Sequence, residues 1–136
     1  FCAVAGVQPQ TETVWRQADR YRVPRIAFIN KMDRVGADFY RAVRSMQERL
    51  GVFAVPVQIP LGHEGDFNGV IDVVRMRTIH WRGEGVDVEQ VFGEVPEPLR
   101  KAAEAARHEV LEAAAEVDER VMEKYVQKPS IMIMRT

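Results

Sequence analysis

The chain has 136 residues, enough for one ordinary domain, and its 46% hydrophobic and 29% charged residues exclude a disordered chain. It contains no run of 18 apolar residues and no basic amino-terminal region before a cleavage site, so we expect no membrane span, no secretory signal and a cytoplasmic location. The net charge of −1 argues against a generally basic nucleic-acid binder, and a single cysteine with three scattered histidines predicts neither an internal disulfide nor a metal site.

The first elements predicted along the chain are a strand and a helix. Residues 1–5 are apolar and favour a strand. A helix is expected to begin near Pro9 and to end before Pro24. Val14 and Tyr21 have the spacing of a helix face that packs on a sheet. With a second strand after Pro24, this order predicts a parallel β-α-β crossover.

The second strand ends in a polar segment. Residues 25–34 read RIAFINKMDR, in which residues 26–29 predict a buried strand and Asn30, Lys31 and Asp33 follow it. Ligands of open α/β sheets bind at the carboxyl ends of strands. An ionised Asp33 could accept hydrogen bonds from the ring N–H and exocyclic amine of guanine, while Asn30 donates to the base and the stem of Lys31 lies along its face.

A helix over residues 39–50 is predicted next, with Asp38 as its N-cap and Gly51 at its end. Capping by Asp33 or Asp38 alone is the alternative explanation of the acidic residues after the strand, but a cap requires no Asn-Lys pair. Residues 52–61 are apolar and contain two prolines, which favour an edge strand or the exit from the sheet.

Glycines punctuate the chain from Gly62 onward and predict a small antiparallel patch with Trp81 and Phe92 as its core. Its predicted strands cover residues 70–74, 75–81 and 86–92.

A long helical region is expected to begin at Pro96 and to bend before Asp118, which would cap a second helix over residues 119–125. An alanine-rich stripe on the first helix, running to Val117, is expected to face the aromatic residues of the antiparallel patch.

The chain resembles the translational GTPases, specifically the elongation factor G family, over roughly residues 1–126. The most specific parts are residues 6–15 (GVQPQTETVW) and residues 30–34 (NKMDR), the second of which contains the guanine-specificity pattern N-K-x-D. The resemblance implies that Asn30, Lys31 and Asp33 bind the guanine base of GTP or GDP.

The resemblance also implies an α/β fold in two parts. Residues 1–61 would form the C-terminal part of a GTPase domain, a partial P-loop GTPase-type parallel sheet with flanking helices. Residues 62–128 would form a small α+β insert domain. Residues 129–136 depart from the acidic helical continuation of the family, and we interpret them as a divergent tail of an internal fragment.

GTP hydrolysis requires a phosphate-binding loop, a magnesium ligand and a positioned water. No glycine of this chain is followed by lysine, so the phosphate loop is absent from the sequence. Two D-x-x-G strings, residues 33–36 and 66–69, are rejected as the magnesium motif, because the first uses the base-reading aspartate and the second lies in the insert. We therefore assign no catalytic residue and predict that the chain alone is inactive, with Mg²⁺ bound in the parent protein through residues absent here.

The resemblance implies that the parent protein is a GTPase that promotes ribosomal translocation, and that its insert faces the acidic ribosomal stalk protein. The alternative, from a different functional class, is a protein-interaction module that holds no nucleotide as an isolated chain. Neither hypothesis involves a membrane or direct sequence-specific binding of nucleic acid.

Overall fold

A computed structural model describes residues 1–127 of the chain, and the predicted tail at 129–136 lies outside the described residues. The elements, in chain order, are α1 (Pro9–Arg20), α2 (Phe39–Leu50), β1 (Gln58–Leu61), a 3₁₀ turn (Glu64–Asp66), β2 (Gly69–Asp72), β3 (Arg77–Arg82), β4 (Glu89–Glu94), α3 (Glu97–Ala115) and α4 (Glu119–Gln127). They divide into two compact units. The first contains Phe1–Ala54 and Gly62–Phe67, and the second contains Val55–Leu61 and the residues from Asn68 onward.

In the first unit, the segment before α1 pairs in parallel with the segment after α1 over a short stretch. Cys2 and Asn30 form a parallel bridge. The N–H of Asn30 donates to the carbonyl of Phe1 at 2.8 Å, and the N–H of Ala3 donates to the carbonyl of Asn30 at 2.9 Å. This is the direction expected of a β-α-β crossover. The predicted P-loop GTPase-type parallel sheet is not present within residues 1–127, where a single bridge represents it.

The prediction of a buried strand at residues 26–29 is wrong for this chain. The side chains of Ile26 and Phe28 are 96% and 75% exposed. Within the described part of the chain the segment pairs with one neighbour, and no helix covers these two side chains, so nothing removes them from water.

The two helices of the first unit differ in how they pack. Helix α2 has both predicted caps: the Asp38 carboxylate accepts from the N–H of Arg41 at 2.9 Å, and Gly51 ends the helix with a left-handed φ of 64°. Its Ala42 and Met46 are buried. Helix α1 begins at Pro9 as predicted but has no buried residue. The prediction that Val14 and Tyr21 pack on a sheet is wrong within residues 1–127, because both are exposed, and α1 instead makes its ring contacts through Trp15 with Phe1 and Arg25.

The second unit contains a four-stranded antiparallel sheet in the order β1-β2-β3-β4. The apolar run at residues 52–61 provides β1, which is an edge strand as predicted, but it belongs to this antiparallel sheet and not to the predicted parallel sheet of residues 1–61. The core of this unit contains Ile59, Ile71 and Val73, each of which is at most 2% exposed. Trp81 and Phe92 are each 47% exposed, so their prediction as the core is wrong. Phe92 lies on the edge strand β4 and has a neighbouring strand on one side only.

The bend between α3 and α4 is confirmed. Helix α3 ends at Ala115, α4 begins at Glu119, and the Asp118 carboxylate accepts from the N–H groups of Arg120 and Val121 at 2.9 and 3.2 Å. Val117 is 86% exposed, so its predicted contact with the aromatic residues is wrong. It lies in the connection between the helices, outside the buried stripe.

Candidate nucleotide-binding site

The three residues predicted to read a base lie in one exposed loop of the first unit. Asn30, Lys31 and Asp33 are all exposed. The loop begins where the parallel pairing ends, because the backbone N–H and carbonyl of Asn30 are both used in that pairing. The backbone of Asn30 is thus fixed while its side chain reaches solvent.

Lys31 turns the chain sharply. Its φ is 64°, in the left-handed region that residues with a Cβ adopt at a cost of about 1 kcal/mol or more. The side-chain carbonyl of Asn30 accepts from the N–H of Lys31 at 2.8 Å and supports this turn. The amide nitrogen of Asn30, in contrast, has no partner among residues 1–127 and is free to donate to a ligand.

Met32 anchors the loop through its buried side chain. It is 7% exposed and forms a buried cluster with Ala3 and Ala37. Ile29, Phe39 and Phe67 pack against this cluster. One buried residue between two exposed ones lets Lys31 and Asp33 face solvent while the backbone between them stays in place.

The turn after the motif is held by hydrogen bonds from α2 and from the first segment. The guanidinium of Arg41 donates to the carbonyls of Gly36 at 2.7 Å and Val4 at 2.9 Å. The N–H of Asp38 donates to the carbonyl of Ala3 at 3.0 Å. Both ends of the loop are therefore tied to the same short amino-terminal segment.

Sequence reasoning missed a third support, the loop Gly62–Phe67. The N–H of Glu64 donates to the carbonyl of Met32 at 2.9 Å, and the Glu64 carboxylate accepts from the N–H of Gly36 at 2.8 Å. The sequence placed this loop in the insert, whereas the loop belongs to the same compact unit as Asn30, Lys31 and Asp33. No local pattern signals a contact between residues 28 positions apart.

The side chains of Asn30, Lys31 and Asp33 can bind a ligand through hydrogen bonds and charge. Within residues 1–127, the Lys31 ammonium and the Asp33 carboxylate form no hydrogen bond or ion pair. Residues 30–33 therefore present three groups to a ligand: the Asn30 amide as a donor, the Lys31 ammonium as a cation and the Asp33 carboxylate as an anionic acceptor. That part of the chain contains no group of three or more His, Cys, Asp or Glu side chains that could hold a metal ion. Its helices also lack one long and apolar enough to cross a membrane.

Residues 1–134 match the family described as the elongation factor Tu GTP binding domain, and the chain belongs to this family of GTP-binding domains. Among individual proteins, it is 54% identical to an elongation factor G of Thermotoga petrophila over 131 residues, which cover 96% of this chain and 19% of that protein. It is 53% identical to an elongation factor G of Thermotoga maritima, with the same shares covered.

A crystal structure of a protein from Thermus thermophilus superposes with a TM-score of 0.74 at 36% sequence identity. The match covers 93% of this chain and 18% of that one. The chain thus spans about a fifth of the length of the curated relatives it matches, at 19% of each.

Proposed function

We propose that this chain supplies guanine recognition in a GTP-dependent translation elongation factor of the elongation factor G type. The observation that carries the proposal is the loop of Asn30, Lys31 and Asp33, whose backbone is fixed by the parallel pairing and by Met32 while its side chains face solvent. The similarity to two elongation factors G supports the assignment to translation.

Guanine differs from adenine at the edge that Asp33 would read. Its ring N–H and exocyclic amine are both donors, and an ionised carboxylate accepts from both at once. The Asn30 amide would donate to the acceptor edge of the base. The aliphatic stem of Lys31 would cover one face of the ring and keep its ammonium in water.

The variant Asp33→Asn tests this proposal in the intact factor. An amide turned to donate would pair with the extra carbonyl of xanthine and lose the acceptors that guanine requires. A buried hydrogen-bond mismatch costs roughly 1–3 kcal/mol, so the preference for GDP over xanthosine diphosphate should fall about tenfold to a hundredfold. Titration of both nucleotides by calorimetry measures the ratio.

Asp87→Asn is the matched control, since Asp87 is an exposed aspartate of the second unit and should leave the ratio unchanged. An unchanged GDP preference in Asp33→Asn would remove the loop from the nucleotide site.

The proposal extends to the whole factor. We assign residues 1–61 to the C-terminal part of the GTPase domain and residues 62–128 to an insert domain, except that the loop Gly62–Phe67 belongs to the first compact unit and Val55–Leu61 to the second. The factor would hydrolyse GTP on the ribosome during translocation, in the cytoplasm. Its phosphate loop and its Mg²⁺ ligands would be supplied by residues outside this chain, because no glycine of this sequence is followed by lysine and both of its D-x-x-G strings are rejected as the magnesium motif.

A second function, binding of a partner protein, is favoured by the exposed aromatic side chains of the β3–β4 hairpin. Trp81 and Phe92 lie on one face of the sheet by their register, and the guanidinium of Arg77 stacks 3.9 Å from the centre of the Phe92 ring. Aromatic side chains accompanied by arginine are typical of the centre of protein interfaces. The proposed partner is the acidic ribosomal stalk protein.

Trp81→Ala in the intact factor should weaken stalk-protein binding about tenfold or more, as loss of an interface aromatic does, and leave GDP affinity unchanged. Calorimetry with the purified stalk protein measures both arms. Unaltered stalk binding would exclude this face of the hairpin as the interface.

A further inference from the structure

We propose that Glu64 is a positioning residue for the guanine-binding loop: it fixes the backbone on both sides of Asp33 and thereby sets how strongly the site selects guanine. This inference rests on the proposed role of Asn30, Lys31 and Asp33. It goes beyond that role because it adds a residue that does not touch the base.

Glu64 forms hydrogen bonds with the backbone on both sides of Asp33. Its backbone N–H donates to the carbonyl of Met32 at 2.9 Å, one residue before the aspartate. Its carboxylate accepts from the N–H of Gly36 at 2.8 Å, three residues after it. A single residue therefore spans the turn that carries the base-reading carboxylate.

The loop around Glu64 is built to hold it in place. Glu64 has a left-handed φ of 51° and starts a 3₁₀ turn, in which the N–H of Phe67 donates to its carbonyl at 3.1 Å. The loop is closed tightly at Gly62, where a Cβ would lie 2.1 Å from the carbonyl oxygen of Asp66. Phe67 packs against the buried cluster that contains Met32. The hydrogen bonds of Glu64 are thus supported by a buried contact next to them.

The carboxylate has a role that no other described residue fills. Arg41 holds the carbonyl of Gly36, but within residues 1–127 the N–H of Gly36 has Glu64 as its partner. A hydrogen bond to an ionised acceptor is about twice as strong as one between neutral groups. Without it, the N–H of Gly36 loses its partner, and the peptide groups around Gly36 keep only the bond from Arg41 to the Gly36 carbonyl and the bond from the Ala37 N–H to the Arg34 carbonyl.

The consequence concerns selectivity more than affinity. The Asp33 carboxylate must face two donors of guanine together, which requires a fixed orientation. Inosine diphosphate lacks the exocyclic amine and makes one of these two bonds. A loosened turn should therefore weaken GDP more than inosine diphosphate, because the second bond is the one that misalignment removes.

The test compares variants of the intact factor by titration with GDP and inosine diphosphate. Glu64→Ala should weaken GDP binding about tenfold and lower the ratio of GDP to inosine diphosphate affinity about threefold, as loss of a hydrogen bond to a charged group predicts. Glu64→Gln keeps an acceptor at the same reach and should restore the ratio to within about twofold of the native factor. Asp66→Ala, an exposed residue of the same 3₁₀ turn, is the matched control and should change neither value.

The variant Glu64→Gly separates the effect of losing the carboxylate from the effect of misfolding. Glycine adopts a φ of 51° without the Cβ penalty that glutamate and alanine both carry, so this variant removes the carboxylate and relieves the backbone strain at the same time. It should reproduce the fall in the ratio. A ratio that stays at the native value in Glu64→Gly, or that falls equally in Asp66→Ala, would overturn the inference.

Asp33→Asn, measured in parallel, separates the two hypotheses. If it shifts preference toward xanthosine diphosphate while Glu64→Gly leaves the ratio unchanged, base recognition stands and the role of Glu64 is wrong. If Asp33→Asn has no effect, the proposed function itself fails.

Discussion

At the scale of single residues, two of the four left-handed non-glycine residues within residues 1–127 lie at the candidate site, and the other two, Arg22 and Met76, lie elsewhere. Lys31 and Glu64 have φ values of 64° and 51°, and Glu64 bonds to Met32 directly after Lys31. A left-handed non-glycine residue persists where its surroundings determine it, and such residues concentrate at binding sites. Strain alone therefore does not mark the site, but at Lys31 and Glu64 the strained backbone is also held by hydrogen bonds of the loop.

A second residue-scale feature gives a pH dependence. The side-chain hydrogen bond from Arg120, followed by the N–H of Val121, holds the pKa of the Asp118 carboxyl below its ordinary value of 3.8. Because this pKa is lower in the folded than in the unfolded state, the ionised cap stabilises α4 above the unfolded value, and the stabilisation is lost as pH falls through the folded value.

We predict that NMR titration of the Asp118 carboxyl carbon gives a midpoint below 3.8 and that Arg120→Ala moves this midpoint upward. Arg100→Ala serves as the control, because Arg100 pairs with Glu97 on α3. A midpoint that Arg120→Ala leaves in place would show that the arginine does not stabilise the charged cap.

At the scale of elements, α1 and α2 have the same length of 12 residues but different support. Helix α2 has a side-chain N-cap, a glycine C-cap and two buried residues. Helix α1 has a proline in its first turn, no side-chain cap bond and no buried residue. Since helices of this length are marginal without tertiary packing, α2 is expected to be the more stable of the two.

The glycine that ends α2 provides a test. Gly51→Ala places a Cβ on a residue with a φ of 64°, although nothing lies within 4 Å of it, so the cost comes from the backbone alone. We predict a loss of about 1 kcal/mol in the free energy of unfolding, measured with urea.

Gly65→Ala is the matched control, because Gly65 also has open space around its Cβ position but no left-handed φ. It should change stability by less than about 0.5 kcal/mol. Equal losses in the two variants would show that the αL conformation at Gly51 is not what makes its glycine necessary.

At the scale of the whole molecule, each compact unit has its own buried residues. The first contains the cluster of Ala3, Met32 and Ala37, and the second is built on Ile71 and Val73, which are 0% exposed. Separate cores allow a substitution to damage one unit and spare the other.

We predict that Ile71→Ala costs about 2–5 kcal/mol, the range for truncating a buried aliphatic side chain. Hydrogen exchange should show lost protection in β1, β2 and β3, with the amides of α2 unchanged. Val86→Ala, at a side chain that is 99% exposed, should have no measurable effect. Loss of protection in α2 as well would mean that the two units unfold together.

The isolated 136-residue chain should not release phosphate from GTP above background. It lacks the glycine-lysine phosphate loop, and electrostatic stabilisation by such groups supplies most of phosphoryl-transfer catalysis. A malachite-green assay on the purified chain checks this. Activity that survives purification and disappears in Asp33→Ala would contradict it.

The sequence by itself determined the features that depend on neighbouring residues. The caps Asp38 and Asp118 and the stop at Gly51 follow from local hydrogen bonding and backbone conformation, which a few consecutive residues specify. The role of Asn30, Lys31 and Asp33 in binding guanine is also read from a short pattern, and it stays a prediction. The antiparallel strands after Gly62 also follow from local turn signals.

The tertiary structure decided what each side chain meets. Ile26 and Phe28 have the pattern of a buried strand, yet they are exposed because within residues 1–127 no layer covers them. Phe92 is half-exposed on the edge strand β4, and Trp81 is half-exposed beyond the point where the pairing of β2 with β3 ends at Ile79. The contact of Glu64 with Gly36 joins residues 28 positions apart, and only the folded path of the chain brings them together. Burial and long-range contacts are properties of the assembled neighbours, so they are not encoded in any short stretch of sequence.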